Sequence, residues 1–218
     1  MFAARTFDNI KSGQNQQRLM TSNHTDKRSG TELSTEIRSN LEMILNENRQ
    51  LADKINYKQI AEIIPFIQHA DRIFIIGAGR TGLALKSAAM RLMHLGFTVY
   101  VAGEIITPAI KEGDLLIAGS GSGTTNSIVS AAEKAVKAGA QVVSLSTTAE
   151  SPLSKLSDLV AIIPAAQKQD HGSALSKQYA GSLFEQSVLL LTDAIIQTLW
   201  SLDGTPAEEL WKRHANLE

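Results

Sequence analysis

Residues 1–30 show no sustained hydrophobic period; Asn, Gln, Ser, Lys and Arg dominate, and the stretch reads as a disordered extension. Its start, 1–5 with Arg5, leaves a targeting leader and a misassigned start both open, and Met20 is a plausible internal start. From Thr31 the rhythm changes. Leu33, Ile37, Leu41, Ile44 and Leu45 recur at helical spacing and predict a helix. A second helical pattern spans 57–69, with Ile60, Ile63, Ile64 and Ile67 inward and Pro65 expected to kink it or end its first part.

The pattern then alternates. Short apolar runs at 72–76 (RIFII), 97–102 (FTVYVA), 114–118 (DLLIA), 141–145 (QVVSL) and 158–163 (DLVAII) predict five strands. Between and after them lie helical stretches at 81–95, 125–138, a short one near 152–156, a long apolar one at 181–201, and a last short one at 206–213. Apolar strands alternating with helices predict an α/β fold, a five-stranded parallel sheet covered on both faces in a three-layer αβα sandwich. Residues 31–218 then form one domain, with 31–70 its N-terminal helical segment. The polar stretch 164–180 is too long for a mere connector and reads as a candidate lid.

Composition narrows the chemistry. The chain has 218 residues, 43% of them hydrophobic and 20% charged, with a formal net charge of −1. No basic patch calls for nucleic acid, so a bound anion must be held locally. The absence of cysteine removes disulfides, thiolate catalysis and cysteine metal sites, and fits a cytoplasmic protein. The run 187–200 is interrupted by Thr192, Asp193 and Gln197 and is short for a membrane span, which needs about 20 apolar residues.

Two glycine loops carry the candidate chemistry. Gly77-Ala-Gly-Arg-Thr-Gly82 follows the first strand and opens a helix. Gly77, Gly79 and Gly82, with Glu104 at the end of the second strand, fit a dinucleotide fingerprint. A phosphate loop or a plain tight turn fits the same residues. Gly119-Ser-Gly-Ser-Gly-Thr-Thr-Asn126 follows the third strand. Hydroxyls of Ser120, Ser122, Thr124 and Thr125, with backbone N–H groups at a helix start, make a neutral cradle for a phosphate monoester. This second loop favours sugar-phosphate binding over an NAD-linked oxidoreductase. A non-catalytic sugar-phosphate-binding module stays open.

Together the two loops resemble the SIS (sugar isomerase) fold. Over 73–218 the chain is similar, more narrowly, to the 6-phospho-3-hexuloisomerase family. The segments that carry the resemblance are GAGRTG at 77–82, AMRLMHLGF at 89–97, GEIITP at 103–108, GSGSGTT at 119–125, AGSLFEQ at 180–186 and HANLE at 214–218. The resemblance implies a flavodoxin-like sandwich that interconverts D-arabino-hex-3-ulose 6-phosphate and D-fructose 6-phosphate in formaldehyde fixation. It implies no metal or nucleotide cofactor, no nucleic-acid or membrane partner, and a homo-oligomer, a tetramer or a dimer.

Such a reaction moves a proton between two carbons beside a carbonyl, which one well-placed carboxylate can do. Glu185 opens an otherwise apolar helix, where a carboxylate is unexpected unless exposed or used; a simple helix-dipole role is the alternative. The resemblance selects it as the base. It also selects His214 as the second catalytic residue, supplied to a neighbouring subunit's site. Gly79, Arg80, Ser120, Ser122, Thr124 and Thr125 are the expected phosphate contacts. Arg91 is expected to pair with Glu104, and His94 to be a helix-end cation or a packing residue. Lys168, Asp170 and His171 lie on the candidate lid.

Overall fold

A computed structural model of the chain describes residues 28–166 and 176–217. The expected extension 1–30, apart from its last three residues, falls outside them. So do Lys168, Asp170, His171 and most of the candidate lid. The chain divides into two compact units, Met1–Glu42 and Met43–Glu218.

In the first unit the described residues are the start of helix α1 (Gly30–Ala52). Ser29 and Glu32 form a reciprocal cap: the Ser29 N–H donates to Glu32 Oε2 (2.6 Å) and the Glu32 N–H to Ser29 Oγ (3.2 Å). This satisfies two donors that a helix start would leave open. Arg28 pairs with Glu36, and Arg38 with Glu42 at 3.0 Å. The apolar stripe faces water: Leu33, Ile37 and Leu41 on this part of α1, and Leu45 farther along it, are 42–69% exposed.

The second unit follows the predicted alternation. After α1 come α2 (Tyr57–Ala61) and α3 (Ile63–His69), then β1 (Ile73–Gly77), α4 (Gly79–His94) and β2 (Val99–Val101). Next are β3 (Leu115–Gly119), α5 (Asn126–Lys137), β4 (Gln141–Ser146), a 3₁₀ turn (Ser154–Leu156) and β5 (Leu159–Ile162). Helices α6 (Ser182–Asp203) and α7 (Ala207–Trp211) complete the described part. The break in 57–69 falls at Glu62, not at Pro65. Pro65 sits in the first turn of α3, where its missing N–H costs nothing because that donor would have no helical partner.

All five strands are parallel, in the order β2-β1-β3-β4-β5. Alternate residues supply two separate cores. Ile73, Ile75, Leu115, Ile117, Val143 and Leu145 pack with α2, α3, α4 and α6 on one face. Phe74, Leu116, Ala118 and Val142 pack with Ile128, Ala132 and Ala135 of α5 on the other. The expected three-layer sandwich is therefore present. Strand β2 is three residues, shorter than the predicted 97–102, because it is an edge strand pairing only with Ile73–Ile75.

One ion pair anchors the strand that leads to the site. Asp114, 1% exposed at the entry to β3, accepts two bonds from Arg72 at the entry to β1 (Nε to Oδ1 2.9 Å, Nη2 to Oδ2 2.6 Å) and one from the Lys111 N–H (2.8 Å). Burial alone would raise the Asp114 carboxyl, but the Arg72 guanidinium and the Lys111 N–H hold it below the usual aspartate range. A depressed acid stabilises the fold above its unfolded pKa, about 3.9, and the gain is lost as pH falls through the lower folded value. Asp114→Asn is expected to cost roughly 3 kcal/mol at neutral pH, since it leaves Arg72 without its charge partner. Urea denaturation of wild type and variant at neutral and acid pH checks this: the gap should narrow in acid.

Candidate functional site

In the strand order β2-β1-β3, the chain leaves β1 toward one side and β3 toward the other, so a crevice opens beyond their C-terminal ends. Gly77 and Gly119 are register partners at those ends. Their lack of side chains brings α4 close: a Cβ on Gly82 would lie 2.5 Å from the Gly77 carbonyl oxygen, and one on Gly119 2.6 Å from Leu85 Cδ1. The third glycine of the GxGxxG run thus serves helix–strand packing, a role that the dinucleotide and phosphate readings share.

A cavity of about 170 Å³ occupies the crevice, and its lining includes Ala78, Ser120, Ser122, Thr125, Gly181 and Phe184. Ala78, Thr125 and Gly181 are the N-caps of α4, α5 and α6, and none of the three helices has a side-chain cap. Three helix N-termini therefore converge on one small space. Each brings unsatisfied N–H groups and the positive end of a helix dipole, a setting that favours an anion without a formal cation.

The hydroxyls are arranged by one another. Ser122 Oγ accepts from the Thr124 N–H (3.3 Å) and Thr124 Oγ1 (2.9 Å), so its own hydrogen is available to donate. Thr124 is exposed and directs its hydroxyl to Ser122, acting as the support of that residue. Ser120, 4% exposed, accepts from the Gly123 N–H (3.1 Å) and shares a hydrogen with Thr125 Oγ1 (3.0 Å), which leaves one hydroxyl hydrogen of the pair for the cavity. Gly123 adopts φ +64, and a side chain there would strike Ser151 Oγ at 2.1 Å. The loop is built on that turn.

Glu185 stands on the first turn of α6, one residue from the cavity-lining Phe184, and is 7% exposed. Arg80 Nη1 lies 3.2 Å from Glu185 Oε2 and donates to Ser182 Oγ (2.9 Å). The α4 start and the α6 start are thereby joined. A buried carboxylate beside a guanidinium, next to an anion cradle, is equipped to move a proton at a carbon held there. Ala180, just before α6, has a positive φ of 52, an uncommon conformation for a residue with a side chain.

Other expected contacts fall elsewhere. His214 lies in a different cavity, about 420 Å³, at the far ends of α4 and α6, lined by Arg91, His94, Asp193 and Trp211 among others. Its ring stacks on His94 (centroids 4.0 Å apart) and on Trp211 (5.6 Å). Arg91 does not pair with Glu104. Glu104 is taken by Lys86 at 2.6 Å, which holds its carboxyl below the usual range, because Lys86 sits one turn nearer the loop that carries Glu104. His94 is not a helix-end cation: it is 6% exposed with Nδ1 buried and unbonded, and burial, His214 and Arg91 all push its pKa down. Thr81 and Phe184, which also line the cavity, and Ser182, which accepts from Arg80, are not among the expected contacts. The signal for Ser182 was its place just past Gly181, at a helix start.

A histidine whose folded pKa is lowered is held neutral by the fold. Its favourable contribution is complete above the ordinary value of about 6.5 and is lost as pH falls from there to the lower folded value. Thermal denaturation is therefore expected to show a drop in Tm as pH falls below about 6.5 that is reduced in His94→Phe. An imidazole of His94 that titrates at or above the ordinary value by NMR would contradict this.

Comparison with known proteins agrees with the geometry. The SIS domain family matches residues 66–190. A Mycobacterium gastri protein named 3-hexulose-6-phosphate isomerase is 53% identical over 183 residues, covering 84% of this chain and 92% of the relative. A Bacillus subtilis protein of the same name is 44% identical, covering 80% and 95%. The crystal structure of a Methanococcus jannaschii protein, from which a molecular function of 3-hexulose-6-phosphate isomerase was inferred, is 30% identical, covers 83% of this chain and 99% of that one, and superposes with a TM-score of 0.71. With a family match across more than half its length and relatives this similar along nearly their whole sequence, the chain belongs to the SIS-domain family, in the branch that holds the 3-hexulose-6-phosphate isomerases.

Proposed function

We propose that the protein interconverts D-arabino-hex-3-ulose 6-phosphate and D-fructose 6-phosphate through an enediolate, in the ribulose monophosphate route of formaldehyde fixation. The observation that carries this is Glu185: a buried carboxylate, ion-paired to Arg80, next in sequence to Phe184, which lines a cavity on which three helix N-termini converge. The relatives' name points to 3-hexulose 6-phosphate as one member of the substrate pair.

In this reading the phosphate lies against Ser120, Ser122 and Thr125 and the backbone of the loops at Gly79 and Gly121, with Thr124 steadying Ser122. Glu185 takes the C2 proton of the 3-ketose. The C2–H electrons form the C2–C3 double bond, and the C3 carbonyl oxygen becomes the enediolate oxygen. The C2 hydroxyl proton passes to the C3 oxygen, and as the carboxylic acid returns its proton to C3 the C2 oxygen becomes the carbonyl of the 2-ketose. Arg80 is placed to orient Glu185 and to stabilise the oxygen that gains charge. His214 serves ring opening or proton shuttling, from one copy to the site of a neighbour. Its place in a cavity apart from the loops suits a role in trans. The exposed apolar stripe of α1, Leu33, Ile37, Leu41 and Leu45, supports association into a homo-oligomer; the cysteine-free chain fits a place in the cytoplasm. Among the described residues no helix is long and apolar enough to cross a membrane.

Incubation with fructose 6-phosphate in D2O, followed by NMR, is expected to give a 3-ketose product with deuterium at C2 or C3; neither exchange nor product would sink the proposal. Glu185→Gln is expected to abolish exchange while phosphate-ester binding persists. Ser122→Ala is expected to weaken binding by ~1–2 kcal/mol, one charge-assisted hydrogen bond, with exchange still measurable at saturation. Glu185→Gln and His214→Ala subunits, each inactive alone, should partly restore activity when mixed and refolded together if the site is shared. Activity that stays absent on mixing counts against His214 acting in trans.

A further inference from the structure

Nothing in the hydrophobic pattern singles out Glu47, a half-buried residue of α1. In the structure its carboxylate gathers the segment that precedes α6. Oε2 accepts from Ser176 Oγ (2.7 Å) and Gln178 Nε2 (3.0 Å), and Oε1 accepts from the Lys177 N–H (2.7 Å). The network closes on itself. Gln178 Oε1 accepts from Gln186 Nε2 (2.8 Å), and Gln186 Oε1 accepts from Asn48 Nδ2 (2.8 Å), one residue along α1. Two adjacent α1 side chains thus hold 176–178 and the residue next to Glu185. Burial works to raise the Glu47 carboxyl, but these bonds and the Lys177 charge hold it below the usual glutamate range, so the clamp is ionised at neutral pH.

The short connection between the clamp and the base is under tension. Ala180 holds φ +52, and Ser182 donates to the Tyr179 carbonyl from both Oγ (2.7 Å) and N (3.3 Å). Such backbone strain persists only where the surroundings over-determine it. On one side of Ala180 the surroundings are the Glu47 clamp. On the other they are Ser182, which Arg80 also holds, and the first turn of α6. Release of the clamp would let Ala180 relax and shift Glu185 relative to Arg80 and the loop after β3. The loop itself, which makes no use of Glu47, would keep its form.

We propose that Glu47 is a positioning residue for the reaction: it fastens 176–178 to α1 and so holds the first turn of α6, with Glu185, in line with the phosphate cradle. This rests on Glu185 being the base. Glu47→Ala is expected to lower kcat about tenfold or more, with KM changed less than about threefold, since a small misplacement of a reacting group is costly while phosphate contacts are unchanged. Glu47→Gln keeps one carbonyl acceptor and should fall between. A merely structural residue would lower Tm and leave kcat unaltered below the transition, and that result overturns the proposal. Hydrogen exchange on the free, full-length protein separates it from the reaction reading: amides 179–185 should exchange faster in Glu47→Ala than in wild type. If wild type shows no isomerisation, the function reading fails, while faster exchange still upholds the clamp. Unchanged exchange overturns it in either case.

Discussion

The close approach of backbone at Gly77, Gly82 and Gly119 is the constraint on which the site depends. Where a side chain would come within 2.5–3.0 Å of its neighbours, bare glycine lets α4 lie directly against the ends of β1 and β3. That contact sets where α4 begins. Because β1 and β3 are paired at Gly77 and Gly119, it also sets where the loop to α5 begins. Helix α6, packed beside α4 in the same core, brings a third N-terminus to the crevice. A chain with a net charge of −1 can in this way present a strongly anion-attracting point. The attraction comes from oriented peptide dipoles, which need no counter-charge elsewhere.

Glu185 shows the other side of the same geometry. A carboxylate at a helix N-terminus is ordinarily a favourable surface feature. Here it is buried, and the helix dipole, Arg80 and the hydrogen bonds around Ser182 must together offset its loss of water. The positive ends that make the cavity suited to an anion therefore also keep the carboxylate in place. In the proposed reaction phosphate and base would share one local field, and their spacing along it would decide which carbon of a bound sugar faces the base.

Much of this was legible in the chain. The strands were readable because each is a short apolar run, with β3 and β4 buried on both faces, and the loops because glycines and hydroxyls sit between such a run and a helix. Both glycine loops followed from that. The third helix N-terminus was only half visible: Gly181 marked the start of α6, but nothing local placed it beside Ala78 and Thr125. Side-chain partners were the least readable. Arg91 and Lys86 lie on the same helix at similar distances from Glu104 in sequence, and only the turn after β2 decides for Lys86. The stacking of His94 on His214 joins residues 120 positions apart by number, and the Glu47 network joins α1 to 176–178; neither leaves a periodic trace. The α1 stripe predicted its helix and left open what covers it. Periodicity reports that a face is apolar and not what covers it, and here much of it stays in contact with water.

The strand order has a bearing on how the chain is made. Parallel neighbours need a full crossover between them, so no hairpin can start the sheet. The first strand in sequence is also a central one, flanked by the second and third. As the polypeptide emerges from the ribosome, the middle of the sheet and both glycine loops can assemble before the last helices exist. Gly181 and Glu185 follow both loops in sequence, so the growing chain holds two of the three converging helix N-termini before it acquires the third and the carboxylate beside it.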